Sequence, residues 1–211
     1  LHSQFVTHLP LGVIHSYLFP RVQYIPVKEF VISCSCSSHD SLVVRDVDDK
    51  KRKTYVFKVA KGVDCFDYSH SLNVIITGGV DHAVRVWNPY VTSKPVAIMK
   101  GHSSSIVDLV IHPGLEQVFS YDKEGVLKCW NVKEQVCIQT LAIRDPFGHR
   151  VPEHGPFPFR LIRSPVSSLL ITSNDSLIEI KLVGLGSTKS LKTTHAKPLC
   201  AAIYNPEVKQ V

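Results

Sequence analysis

No apolar run in this chain of 211 residues is long enough to cross a bilayer as a helix. A helical membrane protein is therefore not expected. Methionine occurs once, at Met99, and Leu1 is not followed by a basic segment, so no secretory leader is read at the start. There is no Gly-rich phosphate loop and no His-x-x-x-His pair, which removes the two commonest sequence signs of a nucleotide or zinc enzyme. The six cysteines lack the spacing of a disulfide framework and fit free thiols in a reducing compartment. Cys34 and Cys36 lie two apart in an apolar run and are expected on one face of a strand; a zinc site would want a second such pair. Tryptophan is scarce, with two in the chain, and both turn out to mark a repeat.

What is present is ordinary globular material, 44% hydrophobic and 20% charged, which excludes a disordered chain. The net charge of +6 permits an acidic partner without selecting one. The pattern is of short period-2 runs. Ile75–Ile76 leads through Gly78-Gly79-Val80-Asp81 into the alternating Ala83–Trp87, which breaks at Asn88-Pro89. That is a hairpin followed by a turn. Leu-Lys-Cys-Trp-Asn (127–131) repeats Val-Arg-Val-Trp-Asn (84–88) after 43 residues. A repeat of that length predicts stacked four-stranded units, that is, an all-β chain forming part of a β-propeller.

Units are expected at 22–60, 61–100, 101–142 and 143–193, the last with a Pro-rich insertion at 143–159. Residues 1–21 are read as the end of an earlier unit or a linker, with Val13–Phe19 as its outer strand. Gly101–Val118 aligns without a gap on Thr194–Val211, so 194–211 is read as the start of a further, truncated unit.

These residues resemble the WD-repeat (WD40) family: Gly-His before the first strand, Ser or Thr in the second, Asp in the following turn, Trp-Asp or Trp-Asn closing the third. The resemblance implies a hydrogen-bonded chain of His102, Ser120, Glu124 and Trp130 in the third unit, with Glu124 standing where the family has Asp. In the second it implies Thr77, Asp81 and Trp87, with Val59 in place of the His. A narrower likeness, over Thr77–His102, is to the large ciliary WD-repeat proteins that also carry EF-hands. That resemblance implies a non-catalytic structural part of the axoneme of a motile cilium or flagellum, cytoplasmic and cytoskeletal, within a large assembly. The alternative is a general cytosolic WD-repeat adaptor of the ubiquitin-ligase or trafficking type.

Two stretches are candidate partner contacts. Lys50, Lys51, Arg52 and Lys53 form a basic loop suited to an acidic surface, of which tubulin is one consistent with the ciliary likeness. No aromatics interleave with it, which argues against nucleic acid. Phe147, Phe157 and Phe159 lie in or at the end of the Pro-rich insertion and suit an apolar contact. No catalytic residue, metal site, cofactor or membrane partner is expected. His, Ser and acid do recur together, but a nucleophile needs a pocket and an oxyanion site as well.

Overall fold

A computed structural model describes residues 21–47, 53–143, 159–162, 168–173 and 176–182. Every regular element among them is a strand. The first blade is β1 (Arg21–Ile25), β2 (Phe30–Cys34), β3 (Leu42–Asp46) and β4 (Thr54–Phe57). The second is β5 (Cys65–Ser69), β6 (Val74–Gly78), β7 (Ala83–Trp87) and β8 (Ala97–Lys100). The third is β9 (Ile106–His112), β10 (Gln117–Asp122), β11 (Val126–Asn131) and β12 (Val136–Ala142). Of the fourth, β13 (Phe159–Ile162), β14 (Ser168–Ser173) and β15 (Ser176–Lys181) are described. Within each sheet the strands pair antiparallel in chain order. The readings at Val13–Phe19, Lys50–Arg52, Phe147, Phe157 and 194–211 lie outside the described residues.

The same turn chemistry recurs in the first three blades. The turn from first to second strand closes with Glu29 N–H on the Pro26 carbonyl, Asn73 on His70 and Glu116 on Pro113. Each donor sits at positive φ, at 53°, 50° and 54°. That left-handed step lets four residues reverse the chain without splaying the strands. The third strands of the second and third blades run into an asparagine whose side chain organises the next turn. Asn88 Oδ1 accepts from Tyr90 N–H, and Asn131 Oδ1 accepts from Lys133 and Glu134.

A single blade has two apolar faces and cannot bury either alone, so the core lies in the seams between blades. Ile32, Val44 and Phe57 of the first blade pack on Phe66, Ile75 and Trp87 of the second. Ile76, Val86 and Met99 of the second pack on Leu109, Val118 and Trp130 of the third. Phe119, Tyr121 and Cys129 continue to Leu169 of the fourth. Each such side chain contributes roughly 1.5–3 kcal/mol by leaving water. Edge-on ring packing of Phe57 against Trp87, with centroids 5.3 Å apart, adds to the first seam.

In the first three blades the connection out of the blade is tied back to that blade's second turn. Val63 N–H bonds the Ser35 carbonyl at 2.8 Å, Ile106 bonds Gly79 at 3.1 Å and Ile143 bonds Gly125 at 2.7 Å. In the first blade the Ser41 hydroxyl donates to the Ser37 carbonyl and accepts from Val59 N–H at 2.8 Å. It thus anchors the loop that holds Val59 in place of a histidine. The strand expected to carry both Cys34 and Cys36 on one face ends at Cys34. The Ser35 hydroxyl, bonded to the Asp40 carbonyl and to Ser37 N–H, starts a turn there. Cys34 is buried and Cys36 exposed, and the five described cysteines are all free.

Gly62 shows how tight this arrangement is. Its φ is +75° and a Cβ there would lie 2.5 Å from the Cys36 backbone. Gly62→Ala should therefore lower stability by about 1–3 kcal/mol, read as a shift in the denaturation midpoint of the full-length protein. An unchanged midpoint would mean that the loop does not sit against the Cys36 turn.

Candidate functional site

The third blade carries the constellation of His, Ser, acid and Trp. Trp130, on β11, is 1% exposed, so its indole N–H must find an acceptor inside the protein. It donates to the Ser120 hydroxyl of β10 at 2.8 Å. Ser120 Oγ lies 2.7 Å from His102 Nε2, and His102 Nδ1 lies 2.7 Å from Asp122 Oδ2. With a carboxylate on Nδ1, that nitrogen carries the proton and Nε2 accepts from the serine, so a neutral imidazole satisfies every partner. Asp122 Oδ1 accepts in turn from the N–H groups of Glu124 and Val126, at 3.0 and 2.9 Å. The network runs unbroken from the core of the seam to the tip of the second turn.

The carboxylate is Asp122 and not Glu124, which corrects the expectation drawn from alignment. β10 shifts register between Tyr121 and Asp122 where it pairs with β9. The extra residue, Val107, lies on β9, and Asp122 follows Ser120 by two along β10, so strand alternation puts both on the face that meets His102. Glu124, two residues on, is exposed and enters the network through its backbone N–H. In the second blade the position equivalent to Asp122 is Gly79, so no such substitution is open there. Thr77 Oγ1 accepts from Trp87 Nε1 at 3.0 Å, while Asp81 pairs with Arg85 and accepts from Ala83 N–H. The second blade therefore has two separate pieces, an indole–threonine bond and a turn ion pair, with no histidine to join them.

Burial alone would push the Asp122 carboxyl up, but the bonds from His102, Val126 and Glu124 outweigh it and hold it below the ordinary value of 3.8. Serine, histidine and aspartate in line are also the parts of a hydrolytic triad, and the distances here would suit one. Ser120 is 0% exposed, however, and its oxygen already accepts the indole N–H. The geometry is that of a sealed structural chain.

The other expected site residues fall elsewhere. Lys53 is exposed and precedes β4; its neighbours Lys50–Arg52 lie outside the described residues. Phe159 opens β13. Val47 N–H bonds the Glu29 carbonyl, which puts the Lys53 loop at the end of the strands bearing the first turns. Ile143 bonds Gly125 at the opposite end. Val47 and Lys53 therefore lie at the first-turn end of the first blade, and Ile143 at the second-turn end of the third.

Alignment gave no sign of an ion pair along the innermost strands. Arg21 of β1 reaches past the second blade to Asp108 of β9 at 2.7 Å and lies over the Phe66 ring. Register makes Arg21, Cys65 and Asp108 positional equivalents in three successive blades, and the small Cys65 leaves room for the contact. At the other end of the inner strands Ile25, Tyr68, His70 and Ile111 help line a cavity of about 390 Å³. Among the described residues no three His, Cys, Asp or Glu side chains are grouped to hold a metal ion, and no helix is long and apolar enough to cross a membrane.

Comparison with known proteins agrees with this geometry. Residues 51–88 and 93–131 match the family described as WD domain, G-beta repeat. The chain is 29% identical over 210 residues to the WD repeat-containing protein on Y chromosome of Drosophila grimshawi, covering 97% of this chain and 16% of that protein. The proteins of the same description in Drosophila mojavensis and Drosophila pseudoobscura pseudoobscura are 27% and 28% identical, again over 97% of this chain and over 16% and 18% of their own length. The chain thus spans under a fifth of the length of these curated relatives.

Four substitutions in the full-length protein separate the roles. Trp130→Ala should cost about 3–5 kcal/mol through the cavity it leaves. His102→Ala should cost about 1–3 kcal/mol through partners left unpaired. Asp122→Ala should fall in that same range while Glu124→Gln stays within about 0.5 kcal/mol of wild type; the reverse order would restore Glu124 to the network. Because the folded pKa of Asp122 is depressed, its contribution is present above the unfolded carboxyl value and is lost as pH falls through the folded one. The stability gap between wild type and Asp122→Asn should therefore close on acidification below about pH 4, measured by denaturant titration at each pH.

Proposed function

We propose that this chain, whose second and third blades are WD repeats, is part of a non-catalytic scaffold that binds other proteins through loops on both faces of its blades. The observation that carries this reading is the sealing of the Ser120–His102–Asp122 chain by Trp130, which commits this constellation of catalytic residue types to holding the blade together. Two contact stretches of different chemistry remain, the basic Lys50–Lys53 loop and the stretch bearing Phe147, Phe157 and Phe159. The described residues next to them, Val47 and Lys53 for one and Ile143 for the other, lie at opposite ends of the strands, which supports two partners bound at once.

The finer proposal is a place in the axoneme of a motile cilium, with the basic loop facing an acidic surface such as tubulin. Its support is the likeness of Thr77–His102 to the ciliary WD-repeat proteins that carry EF-hands. The alternative of a general cytosolic adaptor keeps the same scaffold chemistry and changes only the partners.

Charge reversal at Lys50–Lys53 in the full-length protein should abolish a salt-sensitive interaction and leave a second one intact. Serine at Phe147, Phe157 and Phe159 should do the converse, because apolar contacts are screened by salt far less than charged ones. Co-sedimentation with microtubules at low salt, lost in the charge-reversed variant, would support the tubulin-facing arrangement. Wild-type and reversed protein sedimenting alike would rule it out. Localisation of the full-length protein in a ciliated cell tests the axonemal placement separately.

A further inference from the structure

The basic stretch ends on a hydroxyl. Lys50, Lys51, Arg52 and Lys53 run directly into Thr54, the first residue of β4. Thr54 is exposed, and its hydroxyl makes no hydrogen bond among the described residues. β4 is the outermost strand of its sheet, so its backbone is already extended and one of its edges is unpaired. As the first residue of that strand, Thr54 sits where local opening costs least.

Register decides what stands across from it. Thr54 pairs with Arg45, and the next bond along the ladder runs from Asp46 N–H to the Lys53 carbonyl at 3.1 Å. Arg45 and Thr54 therefore form a non-hydrogen-bonded pair. In that arrangement facing side chains come closest, with Cβ atoms roughly 4.5–5.5 Å apart. A group added to the Thr54 hydroxyl would lie within reach of the Arg45 guanidinium.

The position stays open where blades stack. Tyr55 pairs with Val44 as Ala97 pairs with Val86, so Val96, just before Ala97, matches Thr54, and Ile98 matches Val56. The first blade packs on the second, yet Val96 is 61% and Ile98 49% exposed. This side of the outermost strand is left accessible by the neighbour that covers the inner ones.

We infer that Thr54 is a phosphorylation site for a protein kinase that selects basic residues ahead of its target, and that the phosphate switches off the basic stretch as a contact for acidic partners. In the transfer the γ-phosphorus of ATP bonds to Thr54 Oγ1 as its bond to the departing ADP oxygen breaks. The hydroxyl proton passes to the kinase's catalytic aspartate. Four cations just ahead of an exposed hydroxyl on an extended edge suit a kinase cleft lined with carboxylates, since kinases discriminate substrates by charge pattern. The product adds about −1.5 to −2 charge at pH 7 and so offsets about half of the four positive charges before it. Arg45 is placed to hold the phosphate through charge-assisted bonds. The site itself stands on this geometry; its effect rests on the reading of Lys50–Lys53 as a contact for an acidic surface.

The site is tested by incubating the full-length protein with magnesium ATP and the catalytic subunit of cAMP-dependent protein kinase, which selects basic substrates, and locating phosphate by peptide mass spectrometry. Thr54 should be modified in most molecules, and reversal of Lys50–Lys53 to glutamate should abolish this. Thr54 left unmodified in the intact protein would overturn the site, even if a free peptide of the same sequence is a substrate. Equal modification of the charge-reversed variant would overturn the recognition by basic residues. The effect is read on immobilised poly-glutamate. Phosphorylated wild type should elute at lower salt than untreated protein, while Thr54→Ala given the same treatment should elute where untreated protein does. Unchanged elution of fully phosphorylated protein would overturn the switch. Untreated protein that poly-glutamate fails to retain would defeat the basic contact itself, and the switch with it, while the mass spectrum still decides the site.

Discussion

A buried indole N–H must have an acceptor, and much of the third blade follows from that one requirement. Trp130 fills the seam with the second blade and turns its Nε1–H to Ser120. The serine oxygen, once it has accepted that bond, needs somewhere to send its own proton. His102 takes it, and the imidazole in turn needs an acceptor on its far side. Asp122 supplies the acceptor and spends its second oxygen on two backbone N–H groups of the turn. A leaving loop, a strand pair and a hairpin tip are fixed by one chain of bonds in which no group is left unpaired. In a dry interior, a break at any link exposes the next group to the full cost of desolvation without a partner.

The other blades meet the same requirement with fewer parts. In the second, Thr77 ends the chain at once, and the turn is held separately by Asp81 with Arg85. Register puts Arg45 of the first blade where the Trp would be, so the indole's demand never arises; there Ser41 clamps the leaving loop by its backbone at Val59. What all of them share is the seam. Trp87 and Trp130 each pack against the blade before, and the faces of β6 and β10 are buried almost throughout. Packing between blades is the common device, and the polar network is an addition that the third blade carries in full.

Much of this was legible in the residues. Period-2 runs located the strands, because a strand buried against a neighbour on alternate residues has to alternate or be apolar throughout. The step of 43 residues between the tryptophans located the blades, and Asn88 and Asn131 located the turns by their side-chain oxygens. Asp122 was not legible as the histidine's partner. Alignment places Glu124 on Asp81, whereas alternation along β10 puts Asp122 on the face of Ser120, where it meets His102. The one hint was an aspartate two residues before the substituted position, where the second blade has Gly79. Cys36 was misplaced because the serine that ends β2 also looks like strand. The Arg21–Asp108 pair joins residues 87 apart through the geometry of the inner strands, and no spacing in one dimension encodes that.

The account rests on His102, Ser120, Asp122 and Trp130 acting as one structural unit. A double-mutant cycle between His102→Ala and Trp130→Phe in the full-length protein, read by equilibrium denaturation, measures this directly. The two side chains share the Ser120 hydroxyl and their ring centroids lie 6.0 Å apart, so removing either should weaken what the other gains. The account predicts a coupling of about 1 kcal/mol or more. Additive effects, agreeing within about 0.5 kcal/mol, would show that the histidine and the indole stabilise the blade independently, and the network as a unit would not stand.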